Sequence, residues 1–169
     1  MEKKAVIVYD SATGNTKFLA EQLAAALPGV PCSPVGTADV SGADLVFLGF
    51  WTDKGSCSEA LRAFLPALAG KRVFLFGTAG FGGSPEYFGQ IITRVSGLLP
   101  GSCTVEDWFM CQGRMGEAVR RRYEAMAADP ASAEKGKALL ENFERASAHP
   151  NQKDVEALAA KAAGCLRAR

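Results

Sequence analysis

Ala5-Val6-Ile7-Val8-Tyr9-Asp10-Ser11-Ala12-Thr13-Gly14-Asn15-Thr16 is the stretch from which the fold can be read. Its first five residues are an unbroken apolar run rich in β-branched side chains. That is how a strand buried on both faces reads, and such strands belong to parallel sheets. The last six, Ser11 to Thr16, are small, hydroxylic, amide or glycine, and a helical pattern begins at once. Thr16 to Leu27 sets Phe18, Leu19, Leu23 and Leu27 on one stripe and stops at Pro28-Gly29.

The same grammar repeats along the chain. Leu45-Val46-Phe47-Leu48-Gly49-Phe50 and Arg72-Val73-Phe74-Leu75-Phe76-Gly77 are further buried strands, and Thr104 to Met110 is a more mixed one. Val30 to Val35, interrupted by Pro31 and Pro34, predicts an edge strand, because proline donates nothing to a ladder. Helical stripes cover Ser58 to Leu68, Pro85 to Leu99 and Asp154 to Leu166. Alternating strands and helices predict an α/β fold, a parallel sheet covered on both faces with right-handed crossovers. The segment 112–148 is too long for a loop. It predicts two extra helices, near 116–128 and 132–148, parted by Asp129-Pro130, as an addition to one domain spanning 1–169.

Composition narrows the function. The 169 residues carry 19 basic and 18 acidic side chains, a net charge of +1, which speaks against a nucleic-acid binder and gives no reason for membrane adhesion. No apolar stretch approaches the ~20 residues that span a bilayer. The single histidine, His149, excludes a multi-histidine metal centre. The five cysteines, at 32, 57, 103, 111 and 165, form no CxxC. With no secretory leader in Met1-Glu2-Lys3-Lys4, they are expected as reduced thiols in a cytoplasmic protein.

In an open parallel sheet, ligands bind at the carboxyl ends of the strands, and three loops there are unusual. Ser11, Ala12, Thr13, Gly14, Asn15 and Thr16 offer hydroxyls, a side-chain amide and the amides of a helix N-terminus, a set that cradles a terminal phosphate. The plainer alternative is a helix cap made by Asn15 or Thr16. The pattern is neither GxxxxGK[ST] nor GxGxxG, which disfavours nucleoside triphosphates and dinucleotides. Phe50, Trp51, Thr52, Asp53, Lys54 and Gly55 place an indole in a glycine-bounded turn, fit either to stack on a flat ring or to pack on helices. Thr78, Ala79, Gly80, Phe81, Gly82 and Gly83 expose backbone groups and one bulky residue. Taken together, the loops outline a phosphate joined to a flat ring, the shape of flavin mononucleotide (FMN).

These segments resemble the flavodoxin family. Ser11-Ala12-Thr13-Gly14-Asn15-Thr16 matches its phosphate signature [ST]-x-T-G-x-T, and the Trp51-x-Asp53 loop and the glycine-rich loop before Glu86-Tyr87-Phe88 are similar too. The likeness covers roughly residues 4–111 and, more loosely, the last helix. A closer likeness joins Gly49-Phe50-Trp51-x-Asp53-Lys54-Gly55, Gly77-Thr78-x-Gly80-Phe81-Gly82-Gly83 and Met110-Cys111-Gln112-Gly113. That group includes the flavodoxin-like companion of a bacterial bilirubin reductase. The resemblance implies a three-layer sandwich with sheet order 2-1-3-4-5 and bound FMN. It also implies one-electron traffic between a reductase donor and an acceptor enzyme, a bilin reductase or another flavin-dependent reductase. On the same scaffold, an NAD(P)H-dependent FMN quinone reductase is the alternative. The resemblance also implies that residues 11–16 hold the phosphate, Trp51 and its neighbours pack on the isoalloxazine, and residues 78–83 line its other side. This chain departs from typical flavodoxins. Pro85 stands where a stacking tyrosine precedes Glu-Tyr-Phe, leaving Phe81 or Tyr87 to substitute. Thr52 stands where a glycine flips its peptide, leaving Gly55 as the substitute.

Overall fold

A computed structural model of the protein describes residues 4–167; the leading Met1-Glu2-Lys3 lies outside them. Five parallel strands run β1 Ala5–Tyr9, β2 Cys32–Pro34, β3 Leu45–Trp51, β4 Arg72–Ala79 and β5 Thr104–Gln112, in the order β2-β1-β3-β4-β5. This is the flavodoxin-like order expected above. β2 is shorter than the run Val30 to Val35: Cys32 to Pro34 pair with β1, and the chain enters a 3-10 turn at Val35.

Side chains alternate across the sheet and fill two cores. One holds Val46, Leu48, Phe50 and Leu75 against the helices α2 Glu59–Phe64 and α3 Pro85–Ser96. The other holds Ile7, Phe47, Phe74 and Phe76 against α1 Asn15–Ala26 and the last helix, Gln152–Arg167. The expected helix 58–68 is α-helical only to Phe64. Leu65–Leu68 tightens to a 3-10 turn, because Pro66 cannot donate to a carbonyl four residues back.

The centre of the sheet holds a reciprocal pair. Gly49 on β3 stands opposite Phe76 on β4, and the next residue, Phe50, stands opposite Gly77. Each phenyl ring lies over the facing glycine, one pair on each face of the sheet. A Cβ on Gly49 would meet Phe76 Cζ at 2.5 Å, and one on Gly77 would meet Phe50 Cε2 at 2.7 Å.

At β5 an extra residue, Glu106, sits between the pairs Val73–Val105 and Phe74–Asp107. Its carboxylate accepts from Arg72 Nε at 2.6 Å. The expected additional helices are present as α4 Glu117–Ala128 and α5 Ala133–Ser147, so the last helix is α6. They form a hairpin packed mainly on itself around Tyr123, Phe143 and Ala146. Gly136 of α5 lies against the backbone of Met126 and Ala127 on α4. Arg120, the first of the basic run 120–122, is tied to Glu124 and Glu144 and lies over the Phe143 ring. Among the described residues, no helix is long and apolar enough to cross a membrane.

Candidate functional site

The loop after β1 turns directly into α1. Gly14 takes φ 95°, a left-handed conformation that costs a glycine little, and its N–H donates to Ser11 Oγ at 3.1 Å. α2 and α3 are capped by the hydroxyls of Ser58 and Ser84, but no side chain caps α1. The first-turn amides of Asn15, Thr16 and Lys17 have no acceptor within the helix, so this end presents N–H groups and a positive partial charge to whatever lies above it.

Two cavities meet there. A pocket of about 250 Å³ is lined by Thr13, Gly14, Asn15, Phe18, Arg114 and Pro150. A slot of about 180 Å³ is lined by Trp51-Thr52, Thr78-Ala79-Gly80, Gly113 to Gly116 and Val119, together with Ala12, Thr13 and Asn15. Thr13, Asn15 and Arg114 line both, so the cavities share a wall at the phosphate-type loop.

The indole in the slot is anchored. Trp51 Nε1 donates to Asp10 Oδ2 at 2.9 Å, and the same oxygen accepts from Ser58 Oγ. Asp10 at the end of β1 thus fixes the ring of a residue on β3 and also the cap of α2. Beside the indole, the Thr52 hydroxyl is buried and has no hydrogen-bond partner. Buried polar atoms are rarely left so, because the cost is about 1–3 kcal/mol. An orphan hydroxyl on a residue that lines the slot fits a ligand bearing polar edges.

The structure sorts the sequence candidates by position. Ala12, Thr13, Asn15, Trp51, Thr52, Thr78, Ala79 and Gly80 line the slot. Thr16 is 0% exposed, and its Oγ1 bonds the Phe50 carbonyl and Thr78 Oγ1, both at 3.1 Å, so its hydroxyl ties β3 to β4 and it lines neither cavity. Phe50 is buried over Gly77. Asp53 to Ser56 close a two-residue turn, with Asp53 N–H on the Ser56 carbonyl at 2.7 Å and Lys54 and Gly55 both at positive φ. The Gly55 carbonyl accepts from Arg94 of α3 at 3.3 Å, so Lys54 and Gly55 sit at a turn tip outside the slot lining. Phe81 is 43% exposed, and Tyr87 packs beneath Gly82; neither lines the slot. The neighbouring Gly83 rests on the side chain of Gln112.

Part of the lining comes from residues that carried no signal. Met115 lies on Gly80, where a Cβ would meet its Sδ at 2.7 Å, and Val119 follows from α4. The wall is tethered to the third loop. Asn142 of α5 donates to the Gly80 carbonyl at 2.8 Å and accepts from Gln112 Nε2 at 3.0 Å. Sheet order was the one available clue: β5 borders β4, so the loop after Gln112 must open onto the same end as the loop after Ala79.

No cysteine lines the slot. Cys111 faces the α1 and α6 core, and burial pushes its thiol far above the ordinary value of 9.0, with the Asp154 carboxylate adding to the effect. Burial also raises Cys32, Cys57, Cys103 and Cys165. The folded chain therefore keeps protons that the unfolded chain releases above about pH 9, and stability falls as pH rises through that range. The urea midpoint is expected to drop between about pH 8 and about pH 10, and to drop less in Cys111→Ala. Equal drops in both proteins would refute the assignment. His149, the lone histidine, bonds Asp154 in the first turn of α6 at 2.7 Å and lies outside the slot lining.

Comparison with known proteins bears on the family and the fold. Residues 6–163 match the family described as flavodoxin domain. The chain is 34% identical over 174 residues to the flavodoxin-like domain-containing protein BilS of Clostridium symbiosum, covering 91% of each chain. It is 29% identical over 158 residues to the protein of the same name from Clostridioides difficile, covering 90% of each. A solved flavoprotein in complex with FMN from Lactobacillus acidophilus superposes with a TM-score of 0.54 at 14% identity, over 64% of this chain and 93% of that one, a likeness of fold.

Proposed function

The chain belongs to the flavodoxin family, whose cofactor is FMN, and on that premise we propose that it shuttles single electrons between a reductase donor and an acceptor enzyme. The observation that carries this reading is the composition of the slot. Its only ionisable lining residue is Arg114; the rest are hydroxyl, amide, glycine and apolar groups. Nothing there has the chemistry of a general acid or base at neutral pH. Such a site suits a ligand that reacts by itself and is merely held and tuned.

When bound, FMN supplies the one-electron chemistry. The chain's residues do the holding. The uncapped first turn of α1 and the hydroxyls of Ser11 and Thr13 receive the phosphate. Trp51, pinned through its indole N–H to Asp10, offers a flat face to the ring. The Thr52 hydroxyl and the backbone of Thr78 to Gly80 meet its polar edges. Met115 and Val119 close the slot against water from the side of the α4–α5 hairpin. In this reading the added helices, rather than Phe81 or Tyr87, supply the second wall.

An odd count of five cysteines with no CxxC favours a reducing compartment, and a cytoplasmic location is proposed on that ground. The acceptor proposed is a reductase that consumes electrons singly, a bilin or another flavin-dependent reductase.

FMN titrated into the purified protein is expected to bind once per chain, with quenching of flavin fluorescence. The loaded protein is expected to oxidise NADH or NADPH with a quinone only slowly, and rapidly once a flavodoxin reductase is added. No FMN binding would overturn the site. Fast NAD(P)H oxidation by the protein alone would replace the carrier by the quinone-reductase alternative.

A further inference from the structure

We propose that Arg114 is the cation that clasps the FMN phosphate and makes this chain select FMN over riboflavin. The inference rests on the FMN reading above. The phosphate-type loop 11–16 holds hydroxyls and an amide but no positive side chain; Lys17, the next residue, pairs with Glu21 and lines neither cavity, and the cation that does line them is Arg114, which follows β5. Arg114 lines both the pocket over the α1 N-terminus and the ring slot. No acidic side chain lines either cavity.

The backbone of Arg114 is clamped on both sides. Its carbonyl accepts from Asn15 Nδ2 at 2.9 Å, which ties it to the phosphate loop. Its N–H donates to the His149 carbonyl at 3.0 Å, which ties it to the junction before α6. The preceding Gly113 allows this approach, because a Cβ there would meet Asn15 Nδ2 at 2.6 Å. The guanidinium is therefore launched from a fixed point beside the loop.

That guanidinium is also uncommitted. Among the described residues no carboxylate pairs with it, whereas Arg120, six residues on, is engaged by two glutamates. A planar guanidinium matches a phosphate with two parallel N–H donors and stays charged at every working pH. The place of Arg114 in the lining of both cavities suits the joint where a phosphate-bearing tail meets a ring. Arg114 is exposed, so water and salt weaken the contact, and its effect must depend on ionic strength.

The test compares FMN and riboflavin binding, by fluorescence and calorimetry, in the wild type, Arg114→Gln and Arg114→Lys. Arg114→Gln keeps both backbone clamps, and unchanged circular dichroism and thermal midpoint would verify the fold. Arg114→Gln is expected to weaken FMN binding roughly 10- to 100-fold, the range of one charge-assisted contact, with riboflavin affinity unchanged. Arg114→Lys should fall between. The wild-type preference for FMN over riboflavin should shrink with added salt more steeply than that of Arg114→Gln. Equal losses for both ligands would make Arg114 a scaffold residue and overturn the proposal. So would unaltered FMN affinity, which would leave the phosphate to the α1 amides alone. Wild-type protein that binds riboflavin as tightly as FMN would overturn Arg114 while sparing the flavin reading. Wild-type protein that binds neither would overturn both.

Discussion

Replacing Gly77 by alanine is expected to lower stability by about 1–3 kcal/mol, a drop of roughly 2–12 °C in the thermal midpoint for a chain of this size. The added methyl would enter the Phe50 ring, with Cε2 at 2.7 Å and Cε1 at 2.8 Å. Phe50 is fully buried and its backbone carbonyl accepts from Thr16, so the ring cannot swing into solvent and the strand cannot drift without breaking that tie. The ring and the glycine form one packing unit. Phe50→Leu alone should destabilise by leaving a void, yet it makes room for the methyl. The double variant Gly77→Ala/Phe50→Leu is therefore expected to lose less than the sum of the single losses, by about 0.5 kcal/mol or more. Urea unfolding of the four proteins measures this. Strict additivity, or a Gly77→Ala protein as stable as wild type, would contradict the reciprocal packing.

Replacing Gly136 by alanine should have a comparable effect and a functional consequence besides. A Cβ there would stand 2.7 Å from the carbonyl carbon of Met126 and 2.8 Å from Ala127 Cα, both backbone atoms of α4. Backbone cannot move aside as a side-chain end can, so α4 and α5 must separate. The loss is about 1–3 kcal/mol, even though alanine favours the helix over glycine by about 1 kcal/mol. α5 carries Asn142, which holds the Gly80 carbonyl, and α4 carries Val119 in the slot wall. Opening the hairpin should therefore weaken FMN binding and speed amide exchange in α4 and α5 while the sheet stays protected. Gly164 in α6 is the control. A Cβ there meets nothing within 4 Å, so Gly164→Ala should stabilise the protein by about 0.5–1 kcal/mol and leave FMN affinity alone. If both substitutions stabilised the protein, the close helix contact would be disproved.

The contrast between these two glycines shows where sequence reading stops. Both lie in helices expected from the sequence, and nothing in the neighbouring residues tells which one touches another backbone. The same limit governs the site. Thr13 and Thr16 stand three apart in one signature, yet one lines the slot and the other is sealed between β3 and β4. Trp51 and Lys54 share one loop, yet a tight turn carries Lys54 away from the slot lining. Arg114, Met115 and Val119 form a wall although no motif contains them.

Local chemistry is written in runs of neighbouring residues, and the sequence by itself therefore determined the buried strands, the helices between them, the added hairpin and the hydroxyl-and-glycine turn at the first β–α junction. Burial on both faces admits only unbroken apolar strands, and a helix start that meets an anion needs small donors. Tertiary structure alone decided which side chains of the loops reach the slot and which segment closes it. Those choices depend on the direction a chain takes after its strand ends and on contacts between residues such as Gly80 and Asn142, 62 positions apart, which no local pattern encodes.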